Sequence, residues 1–250
     1  MNTICSWNIG GARPLVDISQ KIFGEEDLSV VVHQLQRQNP DIICLQETHV
    51  NAERSLAHDI AEKLSGDFTC TDVPFSISHT DPQYQLALSL IAKGKAAVSS
   101  VLLPAPDFPL FFKKDGRPAQ RFGRPLIIAD LGDLYVATLH LEPLYLFGLS
   151  HFEGQGQVYS EILNAALQEL LPKDKPLVLA GDFNCEAPEK AFSFLNDREL
   201  KEVLPVDRTV PLGASQHHPD HIFVSHKLNV QSAHIIPGDL DHYLCVVEVG

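Results

Sequence analysis

The constraint that bears hardest on this chain is a succession of short apolar runs, many of them flanked by a polar residue able to do chemistry. The runs are Thr3–Asn8, Asp41–Gln46, Tyr84–Ala92, Ser99–Leu103, Arg124–Asp130, Leu134–His140, Leu177–Asp182, His221–Ser225, Asn229–Ile236 and His242–Val249. They are rich in Val, Ile and Leu and often bounded by Pro, Gly or Asp, which predicts strands. Between them, helical spacing of apolar residues predicts helices at Glu26–Gln38 (Leu28, Val31, Val32 and Leu35 on one face), Ala52–Leu64, Gln157–Leu170 and Glu189–Leu195. Pro188 suits the first turn of the last of these. About ten strands are too many for one simple βαβ wrap, so two packed sheets with helices outside are expected. No repeat, low-complexity tract or linker interrupts the pattern, and residues 1–250 read as one domain.

The residues at the strand ends define the chemistry. Asn8 closes the first run, Glu47 follows the second, and His140 ends Ala137-Thr138-Leu139-His140. Asp182 and Asn184 stand in Gly181-Asp182-Phe183-Asn184, Asp220 opens Asp220-His221-Ile222-Phe223, and Asp241-His242 precede the last run. Strand termini facing a crevice are where α/β folds place ligands. Carboxylates, carboxamides and imidazoles, with no Ser or Cys on an elbow motif, suit attack by water on a phosphoester. Hard carboxylate oxygens hold Mg²⁺ or Mn²⁺, a carboxylate activates the water, and amide and imidazolium donors hold phosphate oxygens. Each piece alone has a bland explanation: Asp and Asn are turn formers, and a lone histidine is commonly a hydrogen-bonded core residue. Their conjunction, in order and each at a strand end, carries the reading.

In that order of motifs the sequence resembles the endonuclease/exonuclease/phosphatase superfamily of DNase I-like, metal-dependent hydrolases, over about residues 3–249. The resemblance implies a four-layer α/β sandwich, two facing mixed sheets flanked by helices, with one site at their common edge. It implies a metal and phosphate site at Asn8, Glu47 and Asp241, Glu47 being the principal Mg²⁺ ligand. Asp182 then orients or deprotonates the water, Asn184 is a phosphate-side donor, His140 and His242 are the two catalytic histidines, and Asp220 orients His242. The pattern departs from the family at three places. Leu240 replaces a serine, His217-His218-Pro219 replaces an aromatic or Arg-Ile pair, and Gln157 with Ser160 stands where an Arg-x-x-Gln pair is usual. Asp72 and Asp81 are the candidates for an acidic partner of His140.

The substrate is expected to be nucleic acid or a nucleic-acid end. Gly10 stands where abasic-site endonucleases carry an acid, and the Cys-Asp-Arg segment of inositol polyphosphate 5-phosphatases is absent around Asp220. Lys113, Lys114, Arg117, Arg121 and Arg124, interleaved with Phe111, Phe112 and Phe122, form a segment able to bind a phosphate backbone and stack a base. The other readings are a phospholipid or inositol-phosphate phosphoesterase and a non-catalytic binding protein on the same scaffold. The histidines at 217, 218, 221 and 226 match no common zinc spacing, and His221 and His226 fall on opposite faces of a strand. A formal charge of −13 argues against a protein coated in positive charge. The apolar runs are too short to span a bilayer. Five scattered cysteines without a CxxC pair, and an N-terminus lacking a basic-then-apolar signal, predict a reducing, cytoplasmic home.

Overall fold

The computed structural model describes residues 1–20, 22–214 and 216–250. In chain order its first strands are β1 (Asn2–Asn8), β2 (Leu15–Asp17), β3 (Ile22–Phe23), β4 (Ile42–Val50), β5 (Phe68–Ile77), β6 (Gln85–Lys93), β7 (Ala97–Leu102) and β8 (Leu110–Phe111). There follow β9 (Pro118–Ala119), β10 (Pro125–Asp130), β11 (Tyr135–His140), β12 (Leu177–Asp182), β13 (Leu200–Glu202), β14 (Asp220–Ser225), β15 (Val230–Ile236) and β16 (Leu244–Val249). The helices are α1 (Leu28–Gln38), α2 (Leu56–Lys63), α3 (Gly154–Leu170), α4 (Pro188–Ala191) and α5 (Phe194–Asp197).

Twelve of these strands form two six-stranded sheets, ordered β15-β16-β1-β4-β6-β5 and β13-β14-β12-β11-β10-β7. Both sheets repeat one plan. A parallel pair, β1/β4 in one and β11/β12 in the other, sits at the centre, and every other pairing is antiparallel. Parallel neighbours need a crossover, and α1 and α3 lie in the two connections. Four layers result. Ile4, Cys44, Leu88, Val136, Ala180, Ile222 and Val247 pack between the sheets. The alternate residues Cys5, Trp7, Ile43 and Leu45 face the α1 and α2 side, and Leu139, Leu177, Leu179 and Phe223 face α3 and α5. The central strands are covered on both faces, which is why they read as continuous apolar runs.

The expected sandwich is the one observed, with local differences. The stretch 68–77, given no element from sequence, is a ten-residue edge strand. Its apolar residues alternate in two runs, Phe68/Cys70 and Val73/Phe75/Ile77, that are out of phase with each other, and Pro74 sits at a register shift against β6. The helix expected over 189–195 is two short helices, α4 and α5. The helix expected from Ala52 begins at Leu56, where the Ser55 side chain accepts from His58 N as its cap. Among the described residues, no helix is long and apolar enough to cross a membrane.

Candidate active site

The C-terminal ends of both parallel pairs point to the same edge of the sandwich. β1 and β4 deliver Asn8 and Glu47, and β11 and β12 deliver His140 and Asp182, which are register partners. Antiparallel β14 begins there with Asp220, opposite Asp182. The loop before β16 brings Asp241 and His242. Glu47 is aimed by a break in the β4/β6 register between Leu45 and Thr48 and sits at φ +56°, a left-handed backbone uncommon for a side-chain-bearing residue. Asn184 also sits at positive φ, which asparagine tolerates.

Asp182 is the hub. Asn8 Nδ2 donates to its Oδ2 at 3.1 Å, and Asn184 N donates to its Oδ1 at 2.8 Å. Nε2 of His140 lies 3.6 Å from Oδ2 and Nε2 of His242 lies 3.9 Å from it. His242 is held from behind by Asp220, whose Oδ2 is 2.8 Å from Nδ1, and its carbonyl accepts from Trp7 Nε1 at 2.8 Å. Glu47 Oε1 stands 3.9 Å from His140 Nε2.

Burial and neighbouring charge separate the protonation behaviour of these groups. Burial, reinforced by Asp220, pushes the Asp182 carboxyl up to about 7, against the pull of His242 and Asn8. His140 is held neutral, its pKa lowered to about 3 by burial and then by the Arg124 cation. His242 moves the other way: although burial opposes its charge, Asp220 and then Asp182 raise its pKa well above the ordinary value. Glu47 stays below the usual carboxylate range despite burial, pulled down first by His79 and also by His242. Burial, together with Glu47, raises Asp241.

Among the described residues, Asp241 Oδ1 is buried with no hydrogen-bond partner. Leu240, in place of the family's serine, is buried in the core on the α1 side and supplies no donor. An orphaned carboxylate oxygen beside a second carboxylate, Glu47, is a donor set suited to a hard divalent cation. Asp182, Asp220 and His242 also offer ligand atoms within 4.8 Å of one another, but Asp220 and His242 are committed to each other.

Several expected residues lie elsewhere or do other work. Arg124 is a correction: it is buried, ion-paired with Glu142 at 3.0 Å, and stacked between Phe75 and Phe122. Its place immediately before β10, whose first residues Pro125 to Ile127 are buried, explains why the guanidinium is unavailable to solvent. Lys113, Lys114, Arg117 and Arg121 are exposed, with Arg117 bound to Asp115. Neither Asp72 nor Asp81 reaches His140: Asp72 binds Ser55 and Ser89, and Asp81 binds Arg13. Among the described residues, His140 Nδ1 is buried without a hydrogen-bond partner. Asn184 commits one Nδ2 hydrogen to Leu141 O. Gln157 is exposed, while Ser160 is buried and holds His151. His221 is buried against Glu202 and Cys185 O, and His226 lies beyond the strand, beside Glu199. The residues missed from sequence lie outside the strands and long helices: His79 in a loop, acting electrostatically on Glu47, and Tyr145 in a short 3-10 helix and Gln216 in a loop, both lining the same pocket as Asp241 and His242. No periodicity marks such positions, and only their proximity in the fold reveals them.

The comparisons with known proteins bear on the fold and the family. Among curated proteins none matches the sequence. The endonuclease/exonuclease/phosphatase structure from Beutenbergia cavernae is similar at 17% identity and TM-score 0.74, covering 99% of this chain and 71% of that one. The human nocturnin catalytic domain with bound sulfate anion is similar at 20% identity and TM-score 0.64, covering 100% and 93%. An AP endonuclease from Archaeoglobus fulgidus is similar at 15% identity and TM-score 0.60, covering 99% of each chain. At such identities the likeness establishes the fold. The family model described as Endonuclease/Exonuclease/phosphatase family matches residues 5–242, from inside β1 to His242 itself, and the chain therefore belongs to that family.

Proposed function

We propose that the chain is a Mg²⁺- or Mn²⁺-dependent phosphodiesterase that hydrolyses a nucleic-acid or nucleotide-end phosphodiester by in-line attack of water. Family membership supports phosphoester hydrolysis. The observation that carries the finer reading is the hub at Asp182, where one buried carboxylate is met by Asn8, His140, Asn184 and His242.

Glu47 and Asp241, with the Asn8 carboxamide, would hold the cation, which offsets phosphate charge and stabilises the leaving oxygen. Asp182 is the group assigned to orient and deprotonate the water. Asn8 Nδ2 fixes one of its oxygens and the Asn184 amide the other, so the carboxylate cannot rotate away. His242, kept protonated by Asp220, places positive charge and an N–H where the phosphate oxygens gather. His140, kept neutral, donates through Nε2 without adding a second cation. Asn184 retains one carboxamide hydrogen for phosphate.

The test is hydrolysis of bis(4-nitrophenyl) phosphate with Mg²⁺ or Mn²⁺, with chelator as control. Asp182→Ala and His242→Ala are each expected to lower kcat by at least about a hundredfold, as loss of a positioned proton-transfer group does, with unchanged circular dichroism. Full turnover by the Asp182 variant, or turnover indifferent to chelator, overturns the mechanism.

A further inference from the structure

Beside the candidate active site is a small pocket that none of the roles above uses. Leu15, Ile18 and Phe23, from the hairpin β2/β3 and its turn, form one wall, and Val210 faces them. Asp241 and His242 form one end, so whatever enters is within reach of the reacting phosphate. The frame is tied down: Leu15 N donates to Asp239 O at 2.7 Å, Tyr243 N donates to Thr209 O at 2.6 Å, and Ile18 packs against Gly213. Gln216 lies at the rim, its Nε2 donating to Asn184 O at 2.9 Å.

Three properties restrict the occupant. The first is chemistry: the wall residues Leu15, Ile18, Phe23 and Val210 are apolar, and the charged groups of the described lining lie at one end, in Asp241 and His242. The second is size. The cavity is about 90 Å³, below the roughly 150 Å³ of an apolar cavity that holds benzene and far below the roughly 300 Å³ or more that encloses a drug-sized ligand. A single ring, partly protruding from the mouth, fills it. The third is rigidity. A planar ring surrenders no internal rotors on entering a slot of this size, whereas an alkyl chain surrenders one for each methylene seated. Gln216 adds a polar reader: a carboxamide with one hydrogen engaged retains a donor and an acceptor for a ring edge.

We propose that this pocket receives one uncharged, nucleobase-sized planar ring of the substrate. The enzyme then reads a single terminal nucleoside next to the scissile phosphate rather than the backbone of a duplex. The inference rests on the phosphodiesterase reading and names the substrate class of that same site.

Isothermal calorimetry with Mg²⁺ present separates the alternatives, using 2-deoxyribose 5-phosphate, hexyl phosphate and thymidine 5′-phosphate as probes. Thymidine 5′-phosphate is expected to bind at least about tenfold tighter than either of the others, the gain from burying one ring face. Ile18→Trp, which fills the slot, and Phe23→Ala, which removes a wall, are each expected to abolish that advantage. Both should leave the affinity for deoxyribose 5-phosphate unchanged. Equal affinities for all three probes, hexyl phosphate binding as tightly as the nucleotide, or a preference surviving both variants would overturn the assignment. Bis(4-nitrophenyl) phosphate is assayed on the same preparation. Hydrolysis without ring preference overturns the pocket alone, and ring preference without hydrolysis overturns the phosphodiesterase reading alone.

Discussion

At the scale of single residues, the site is surrounded by buried polar groups whose charge state the fold dictates. Arg124 is one. Its guanidinium has left water for Glu142 and two aromatic faces, and from there it disfavours a second cation at His140. His151 is another, and it yields a pH prediction away from the metal-side groups. Ser160 donates its hydroxyl hydrogen to Gly156 O, so its oxygen accepts from His151 Nδ1–H and fixes the neutral tautomer. Burial lowers the His151 pKa from 6.5 to about 4. Above pH 6.5 both folded and unfolded chains hold it neutral, and it adds no pH dependence. As pH falls from 6.5 to about 4 the unfolded chain takes up a proton that the fold refuses, so stability declines. At full extent this is about 3 kcal/mol. Urea unfolding of His151→Gln between pH 7 and 4.5 should show a shallower loss of stability than the parent chain. Parallel pH profiles would remove His151 from this account.

At the scale of elements, β4 shows how a regular strand is bent to aim one side chain. Ile42 to Leu45 pair in register with β6, the ladder breaks, and Thr48 resumes it, leaving Glu47 at positive φ. A bulge of this kind re-aims one side chain at the cost of local strain. Glycine adopts that backbone freely and alanine does not. Glu47→Gly is therefore expected to be more stable than Glu47→Ala by about 1 kcal/mol, the reverse of their order in ordinary strand. Thermal unfolding of the two variants decides this, and an alanine variant as stable as the glycine one would deny the strain. The same elements show what was legible in advance. α1 was readable from Leu28, Val31, Val32 and Leu35, and β12 from its unbroken apolar run, because burial imposes those patterns directly. β5 was not readable. It is a half-buried edge strand whose composition, Phe68-Thr69-Cys70-Thr71-Asp72, serves pairing with β6 more than a core. The bulge at Glu47 was equally hidden, since no residue type demands it.

At the scale of the whole molecule, two sheets of the same plan meet so that the C-terminal ends of both parallel pairs share an edge, and the site is shared across it. Asn8 on one sheet donates to Asp182 on the other, and His242 before β16 is held by Asp220 of β14. The motif residues were legible because each stands at or beside the end of an apolar run: Asn8, His140 and Asp182 close strands, Asp220 opens one, and Asp241 and His242 precede one. Their convergence depends on sheet order and facing, which pairwise contacts set and local pattern does not. Bringing them together leaves Glu47 and Asp241 as near neighbours, with Asp241 Oδ1 unpaired among the described residues. The molecule therefore carries a destabilising feature that a cation bound between these two carboxylates would remove. Mg²⁺ at a hundred times its dissociation constant should add about 2.7 kcal/mol to folding, or about 5–10 °C in Tm for a chain of this size. Asp241→Asn keeps the shape of the side chain while removing the charge that Glu47 repels. Without cation it should melt at or above the temperature of the parent chain, and added Mg²⁺ should shift it little. A large Mg²⁺ shift surviving in Asp241→Asn would place the cation elsewhere. A metal-free variant melting well below the parent would show that the Asp241 charge is used by the fold, for instance toward His242, rather than waiting for a metal.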